Sequence, residues 1–156
     1  MKRFINIRSI MLTIVALLGA IPVTATERPF ALNGRGIAAF LTDEAGIIIG
    51  ANVTASGTAT HLGSWTTAGT VRYNPPDENG VIRSSGEATI TAADGDKLRV
   101  VVEGALDPVT LTDHGVFRFV GGTGKFEGAS GSADFVVAII PLTGGFELTL
   151  VGNIDF

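Results

Sequence analysis

Apolar and polar residues alternate with a period of two along much of the chain, the spacing of a β-strand with one buried face. In the clearest example, Leu98, Val100 and Val102 share one face. Lys97 and Arg99 lie on the other face. After the N-terminal region, no segment shows the spacing of three and four that is typical of an amphipathic helix. The pattern therefore predicts strands joined by glycine-rich turns.

Eight strands are predicted, each following the last without a long connection. They are 34–41, 47–62, 65–73, 81–92, 97–103, 116–120, 134–140 and 146–156. Because no crossover helix separates them, each strand is expected to pair antiparallel with the next. Closure of such a sheet removes its two unpaired edges. The predicted fold is all-β, an eight-stranded antiparallel up-and-down β-barrel, whose interior can hold one small ligand.

The first 25 residues have the pattern of a secretory signal peptide. Basic residues open the chain, an apolar stretch of 14 residues runs from Ile10 to Val23, and small residues end at Ala25. An uncleaved membrane anchor is the alternative, but this stretch is shorter than the roughly 20 residues that cross a bilayer. We predict a cleaved signal peptide at 1–25, one barrel domain at 26–156, and a secreted or periplasmic location.

Charge and cysteine content exclude several classes of function. The chain has 11 basic and 15 acidic residues, and three of the basic residues lie in 1–25, so the mature domain carries a formal charge of -7. This acidic balance argues against nucleic acid as a partner. The absence of cysteine excludes disulfides, thiolate catalysis and Cys-ligated zinc.

Three short elements carry a resemblance to a known family. They read ATHLG from Ala59, AADGD from Ala92 and GGTGKF from Gly121. On these elements, residues 30–156 resemble the allene oxide cyclase and dirigent barrel superfamily, and bacterial members of unknown function most of all. The resemblance implies an eight-stranded barrel with a cavity. Homo-oligomers are common among the barrels that the chain resembles.

The glycine-rich element is interpreted as a structural loop. Gly121, Gly122 and Gly124, with Thr123 among them, permit a tight connection. Phe126 can then pack beneath the end of the barrel. Phosphate binding is the alternative interpretation, but phosphate-binding loops lead into a helix N-terminus, and here the chain resumes with strand character.

Two charged residues on one predicted strand are candidates for ligand binding. Arg83 and Glu87 share a strand face. If that face points inward, they place a charged pair in the cavity. If it points outward, they are solvent-exposed, and the apolar face with Ala88 and Ile90 favours this second arrangement.

Three further polar residues near strand ends are also candidates for the ligand site. His61 lies either at the mouth of the cavity or at a strand end, bonded to the turn at Gly63. Arg72 and Tyr73 lie near the end of another predicted strand, and the sequence leaves their direction open.

No catalytic set can be placed on the chain. Its two histidines, His61 and His114, exclude a three-histidine metal site, and no serine lies in a G-x-S-x-G elbow. We predict no metal and no cofactor. Plant members of the superfamily close a reactive oxylipin ring or steer phenoxy-radical coupling, but the shared motif lies outside their active residues, so the resemblance does not carry an activity over.

These observations lead to one expected function and two alternatives. The first is an exported small barrel that binds an apolar or amphipathic small molecule. The second is a cyclase or dirigent-like stereocontrolling enzyme, acting as an allene oxide cyclase-like isomerase on a reactive lipid or phenolic precursor. The third is a ligand-free envelope or membrane barrel, since apolar alternation up to the terminal Phe156 resembles a closing membrane strand. One Trp and one Tyr cannot form aromatic girdles, so we do not expect a membrane-embedded barrel.

Overall fold

The computed structural model describes residues 26–141 and 143–156, and the predicted signal peptide lies outside these residues. Eight strands and one turn of 3₁₀ helix, Gly124–Phe126, follow one another. The strands are β1 (Arg28–Thr42), β2 (Ile48–Ala59), β3 (Gly63–Tyr73), β4 (Ile82–Ala92), β5 (Lys97–Asp107), β6 (Thr112–Gly122), β7 (Ser130–Ile140) and β8 (Gly145–Asp155). Among the described residues, no helix is long and apolar enough to span a membrane.

The predicted up-and-down barrel is confirmed. Every strand pairs antiparallel with the next, and β1 pairs with β8 to close the sheet. The whole barrel is therefore made by the chain from Arg28 to Asp155. Because the barrel is closed, its backbone hydrogen bonds need no neighbouring protein.

Several strand boundaries differ from the predicted ones. The first strand begins at Arg28 rather than at Gly34, because its first half pairs with β8. Pro29 and Asn33 have low strand propensity, so this half of β1 could not be recognised from the pattern. Strand β6 likewise begins at Thr112, four residues before the predicted start, in a stretch that contains glycine and aspartate.

Alternation along the strands sends one set of side chains into the barrel. The most deeply buried of them are Phe30, Leu32, Trp65, Ile90, Leu98, Val100, Leu150 and Ile154. Phe126, in the 3₁₀ turn, is buried to the same degree. The Trp65 ring lies over Gly34 of β1, where a Cβ atom would overlap it. Trp65 pairs with Gly57 of β2, which pairs with Gly34, so the two glycines let the indole lie along the inner wall.

The two ends of the barrel are built from different connections. At one end lie 60–62, 93–96 and 123–129, together with both termini of the described chain. We call this the closed end, because Phe126 is 0% exposed there. The connections 43–47, 74–81, 108–111 and 141–144 lie at the other end, which we call the open end.

Candidate functional site

A cavity of about 90 Å³ lies inside the barrel and opens at the open end. Its deep wall includes Leu32, Trp65 and Ile90, and Phe40 and Ile139 border its mouth. The lining is therefore largely apolar. An apolar, partly enclosed cavity of this kind favours the apolar part of a small molecule over water.

Two polar side chains are buried beside this apolar cavity. Asp113 is 7% exposed and Ser84 is 4% exposed, and no other polar or charged residue in the described ranges is buried to this degree. The Ser84 hydroxyl donates a hydrogen bond to Asp113 Oδ1 over 3.1 Å. Asp113 contributes to the cavity wall, so it places a buried carboxyl group there.

A glycine makes room for this pair. Gly104 of β5 pairs with Ser84 of β4. A Cβ atom on Gly104 would lie 2.6 Å from Asp113 Oδ1, 2.6 Å from Ser84 Oγ and 2.7 Å from Phe135 Cζ. The three side chains therefore converge on the space that Gly104 leaves empty.

Burial dominates the electrostatics of Asp113. Desolvation raises the pKa of its carboxyl group, while the Ser84 hydrogen bond and the nearby His114 charge act in the opposite direction. Within 26–141 and 143–156, no lysine or arginine lies at ion-pair distance from Asp113. The carboxylate thus lacks a counterion inside the barrel.

Tyr73 shares the polar side of the cavity. Its side chain is half-buried at the end of β3 and contributes to the cavity wall. Burial raises the pKa of the Tyr73 hydroxyl, and the charge of Asp113 raises it further. Tyr73 therefore remains a neutral hydroxyl donor over the physiological pH range.

The candidates Arg72, Arg83 and Glu87 are exposed on the outer wall, and Glu87 is also among the residues that border the cavity. On β4, Glu87 alternates with inward-facing residues and lies opposite Thr70 and Val101 of the neighbouring strands. Of the five candidates, the structure therefore brings the Tyr73 side chain to the polar group formed by Asp113 and Ser84. A role of the outer three in ligand binding stays a prediction.

His61 lies at the closed end, away from the mouth of the cavity. Its backbone adopts a φ of 62°, and its side chain is exposed. Nε2 lies 3.0 Å from the Pro29 carbonyl oxygen, and the ring centroid lies 5.4 Å from that of Phe156. These contacts tie the β2–β3 turn to the two ends of the described chain.

The three elements that carry the resemblance meet at this same closed end. Lys125 Nζ lies 2.6 Å from Asp94 Oδ2, and the Lys125 backbone N–H donates to Asp96 Oδ2 over 3.0 Å. The Ala93 N–H donates to the Leu62 carbonyl oxygen over 3.0 Å. The motifs therefore hold the end of the barrel together around the buried Phe126.

The structural-loop residues occupy the turn between β6 and β7. Gly121 and Gly124 have positive φ values of 89° and 58°. A Cβ atom on Gly124 would overlap the Asp96 carboxylate. Thr123 accepts a hydrogen bond from the Lys97 N–H at its Oγ1, over 3.0 Å, and a Cβ atom on Gly122 would overlap the Lys97 carbonyl oxygen. The loop thus packs tightly against the start of β5.

The mouth of the cavity has an apolar border on one side. Strand β1 pairs with β8 only as far as Ile37, whereas its pairing with β2 continues to Thr42. The β1–β2 hairpin therefore extends beyond this part of the wall. Its large exposed apolar side chains are Phe40, Leu41, Ile47, Ile48 and Ile49.

Comparison with known proteins finds structural similarity but no match in sequence. No family model matches the chain, and no curated protein matches its sequence. Among solved structures, the chain is similar to the pterocarpan synthase dirigent protein, with a TM-score of 0.47 and 13% identity. The match covers 83% of this chain and 84% of that one.

Sequence reasoning missed Asp113 and Ser84. Asp113 shares the parity of the inward-facing Phe117 and Phe119, so extending that alternation by four residues would have placed it inside the barrel. Ser84 shares the parity of Ile90 in the same way. In the described part of the chain, no three His, Asp or Glu side chains converge as metal ligands would.

Proposed function

We propose that this protein binds a small apolar or amphipathic molecule inside its barrel. The observation that carries the proposal is the largely apolar cavity of about 90 Å³ that opens to solvent at one end. The carboxyl of Asp113 and the hydroxyls of Ser84 and Tyr73 supply a few polar contacts near the mouth. A ligand would place its apolar part against Trp65 and its polar group beside Asp113.

The size of the cavity limits the part of the ligand that is enclosed. A cavity of about 150 Å³ holds benzene, so this one suits a short alkyl group. Four buried methylene groups contribute about 3 kcal/mol, which corresponds to a Kd somewhat above about 1 mM. Any larger ligand would extend through the mouth onto the apolar β1–β2 hairpin.

Native mass spectrometry of the protein purified from its own host tests this proposal. We expect a bound small molecule in the wild type and its loss in Ala88→Leu, because Ala88 lines the cavity. Ala39→Leu, on the exposed side of β1, is the matched control and should retain the ligand. An empty wild-type barrel that also fails to bind 1-butanol would overturn the proposal.

A second candidate function is stereocontrol of a reactive lipid or phenolic precursor, as a cyclase or a dirigent-like enzyme. The specific observation is Asp113, whose raised pKa lets it hold a proton in an apolar site. The test oxidises a propenylphenol by one electron in the presence of the protein and separates the products by chiral chromatography. Enantiomeric excess that Asp113→Asn abolishes would support this function, and a racemic product would argue against it.

We also propose that the barrel acts after export. The support is the basic and apolar N-terminal pattern that ends at Ala25. N-terminal sequencing of the protein from its host should begin at Thr26. A mature protein that begins at Met1 would contradict cleavage.

A further inference from the structure

Asp113 is a buried carboxyl group, and no lysine or arginine in the described part of the chain forms an ion pair with it. Its hydrogen-bonding side chain is the neutral hydroxyl of Ser84. The three ion pairs of the described residues are all at the surface and involve other carboxylates. A buried charge without a partner is costly, and a cation that enters the cavity would remove that cost.

We propose that the ligand is an organic cation, with an ammonium group bound at Asp113 and a short apolar group in the barrel. This inference rests on the proposed function, because it requires the cavity to take up a small molecule. It goes beyond that function by assigning the charge and the chemical class of the ligand.

Aromatic rings surround the proposed ammonium position. Phe135 Cζ and Asp113 Oδ1 both border the space above Gly104. Tyr73 and Phe117 line the same cavity, and the Phe117 and Phe135 ring centroids are 5.1 Å apart. A carboxylate beside aromatic rings is the combination that recognises ammonium groups, through an ion pair and through cation–π attraction.

The charges around the mouth favour a cation as well. The four connections of the open end contain four acidic residues, Asp43, Glu44, Asp77 and Glu78, and no lysine or arginine. The nearest arginines, Arg72 and Arg83, lie on the outer wall, so acidic groups outnumber basic ones around the mouth. The mature domain as a whole is acidic. Such a mouth raises the local concentration of cations and lowers that of anions.

Orientation follows from the positions of the groups. Asp113, Ser84 and Tyr73 lie within two residues of strand ends at the open end, whereas Trp65 and Leu32 lie deeper. An alkylammonium ion would therefore enter with its alkyl chain first. Its charged end would remain at the level of Asp113, close to solvent.

The test compares three probes of matched size, using residues 26–156, which contain the whole barrel. Butylammonium, 1-butanol and butyrate are titrated at neutral pH and followed by amide chemical shifts in NMR spectra. We expect butylammonium to bind at least tenfold more tightly than 1-butanol, and butyrate not to saturate. Asp113→Asn should reduce butylammonium binding to the level of 1-butanol. The control Asp134→Asn, which changes an exposed carboxylate on β7 outside the cavity lining, should leave it unchanged.

The pH dependence gives a second readout that needs no variant. Butylammonium affinity should fall as Asp113 is protonated, while 1-butanol affinity stays constant. The titratable groups near Asp113 are Tyr73 on β3 and the adjacent His114 on β6. Strand β4 contributes Ser84 and, further along the cavity wall, Glu87. Strands β5 and β7 contribute Gly104 and Phe135, which do not titrate.

The outcomes separate the two proposals. Equal affinities for butylammonium and 1-butanol would overturn the cation assignment and leave the binding function intact. Failure of all three probes to bind would overturn both proposals. Tight butylammonium binding that persists in Asp113→Asn and at low pH would show attraction to the acidic surface, which also overturns the assignment.

Discussion

The two ends of the barrel differ in how their interior is packed and how their charged groups are paired. At the closed end, Phe126 is fully buried, and the Lys125 ammonium group is paired with Asp94. In the open half, the side chains leave a cavity, and no lysine or arginine of residues 26–141 and 143–156 pairs with the buried Asp113. The three motifs that carry the family resemblance therefore hold one end of the barrel together. The candidate site, in contrast, is formed by single residues on separate strands.

The same contrast appears in the acid–base behaviour of two aspartates. The Lys125 hydrogen bond, followed by the Asp96 N–H, lowers the pKa of Asp94. Burial raises the pKa of Asp113. The two carboxyl groups therefore make the stability of the protein depend on pH in opposite directions.

The largest expected effect is on the packing of the closed end. Phe126→Ala removes a fully buried ring, and we expect it to lower the free energy of unfolding by about 3–5 kcal/mol. Phe40→Ala, at the mouth, removes a ring that is 43% exposed and should cost about 1 kcal/mol or less. Urea denaturation measures both. Equal losses would contradict the distinction between the two ends.

The next effect concerns Asp113 and the pH. Because its pKa is raised in the folded state, the folded protein binds more protons than the unfolded chain between the ordinary and the raised pKa. The contribution of Asp113 to the free energy of unfolding should therefore fall as the pH rises through that interval. Asp113→Asn should therefore be more stable than wild type at neutral pH, because it removes a buried charge, and the difference should vanish in acid. Thermal unfolding from acid to neutral pH measures it, and a less stable variant at neutral pH would be the contrary result.

A smaller effect of opposite sign is expected at the closed end. Because the pKa of Asp94 is lowered in the folded protein, its ionised form stabilises the fold. This stabilisation is complete above the ordinary aspartate pKa and is lost as the pH falls through the lowered pKa. Asp94→Asn should reduce the Tm slightly at neutral pH and leave it unchanged in strong acid. Because the pair is exposed, added salt should shrink the difference. A Tm difference that grows in acid would disprove the assignment.

The smallest effect is expected on the outer wall. Glu87→Gln and Arg83→Gln change exposed side chains, so each should alter the free energy of unfolding by no more than about 0.5 kcal/mol. Binding of 1-butanol should also stay the same. A tenfold loss of binding in either variant would show that the outer wall takes part in the site.

Much of the fold was predictable because its signals are local and repeated. Period-two alternation at Leu98, Val100 and Val102 identified a strand, and the short connections between strands implied an antiparallel meander. Barrel closure followed from the number of strands. The start of β1 was not predictable, because its pairing with β8 joins residues such as Arg28 and Ile154 that are far apart in the sequence.

The candidate site was less accessible to sequence reasoning. Asp113 and Gly115 weaken the strand signal at the beginning of β6, so the predicted strand began at residue 116, after Asp113. The space for Asp113 comes from Gly104 on another strand, and only the pairing register brings the two together. Tyr73 was identified as a candidate. The sequence could not show whether Tyr73 or the adjacent Arg72 points into the barrel.

The central claim is that the cavity in the open half is the ligand site. Mapping amide chemical shifts of residues 26–156 on addition of 1-butanol tests it most directly. The account predicts saturable changes at Thr67, Ala88 and Val137, which line the cavity, with little change at His61 and Lys125. Changes centred on His61 and Lys125, or none that saturate, would contradict it.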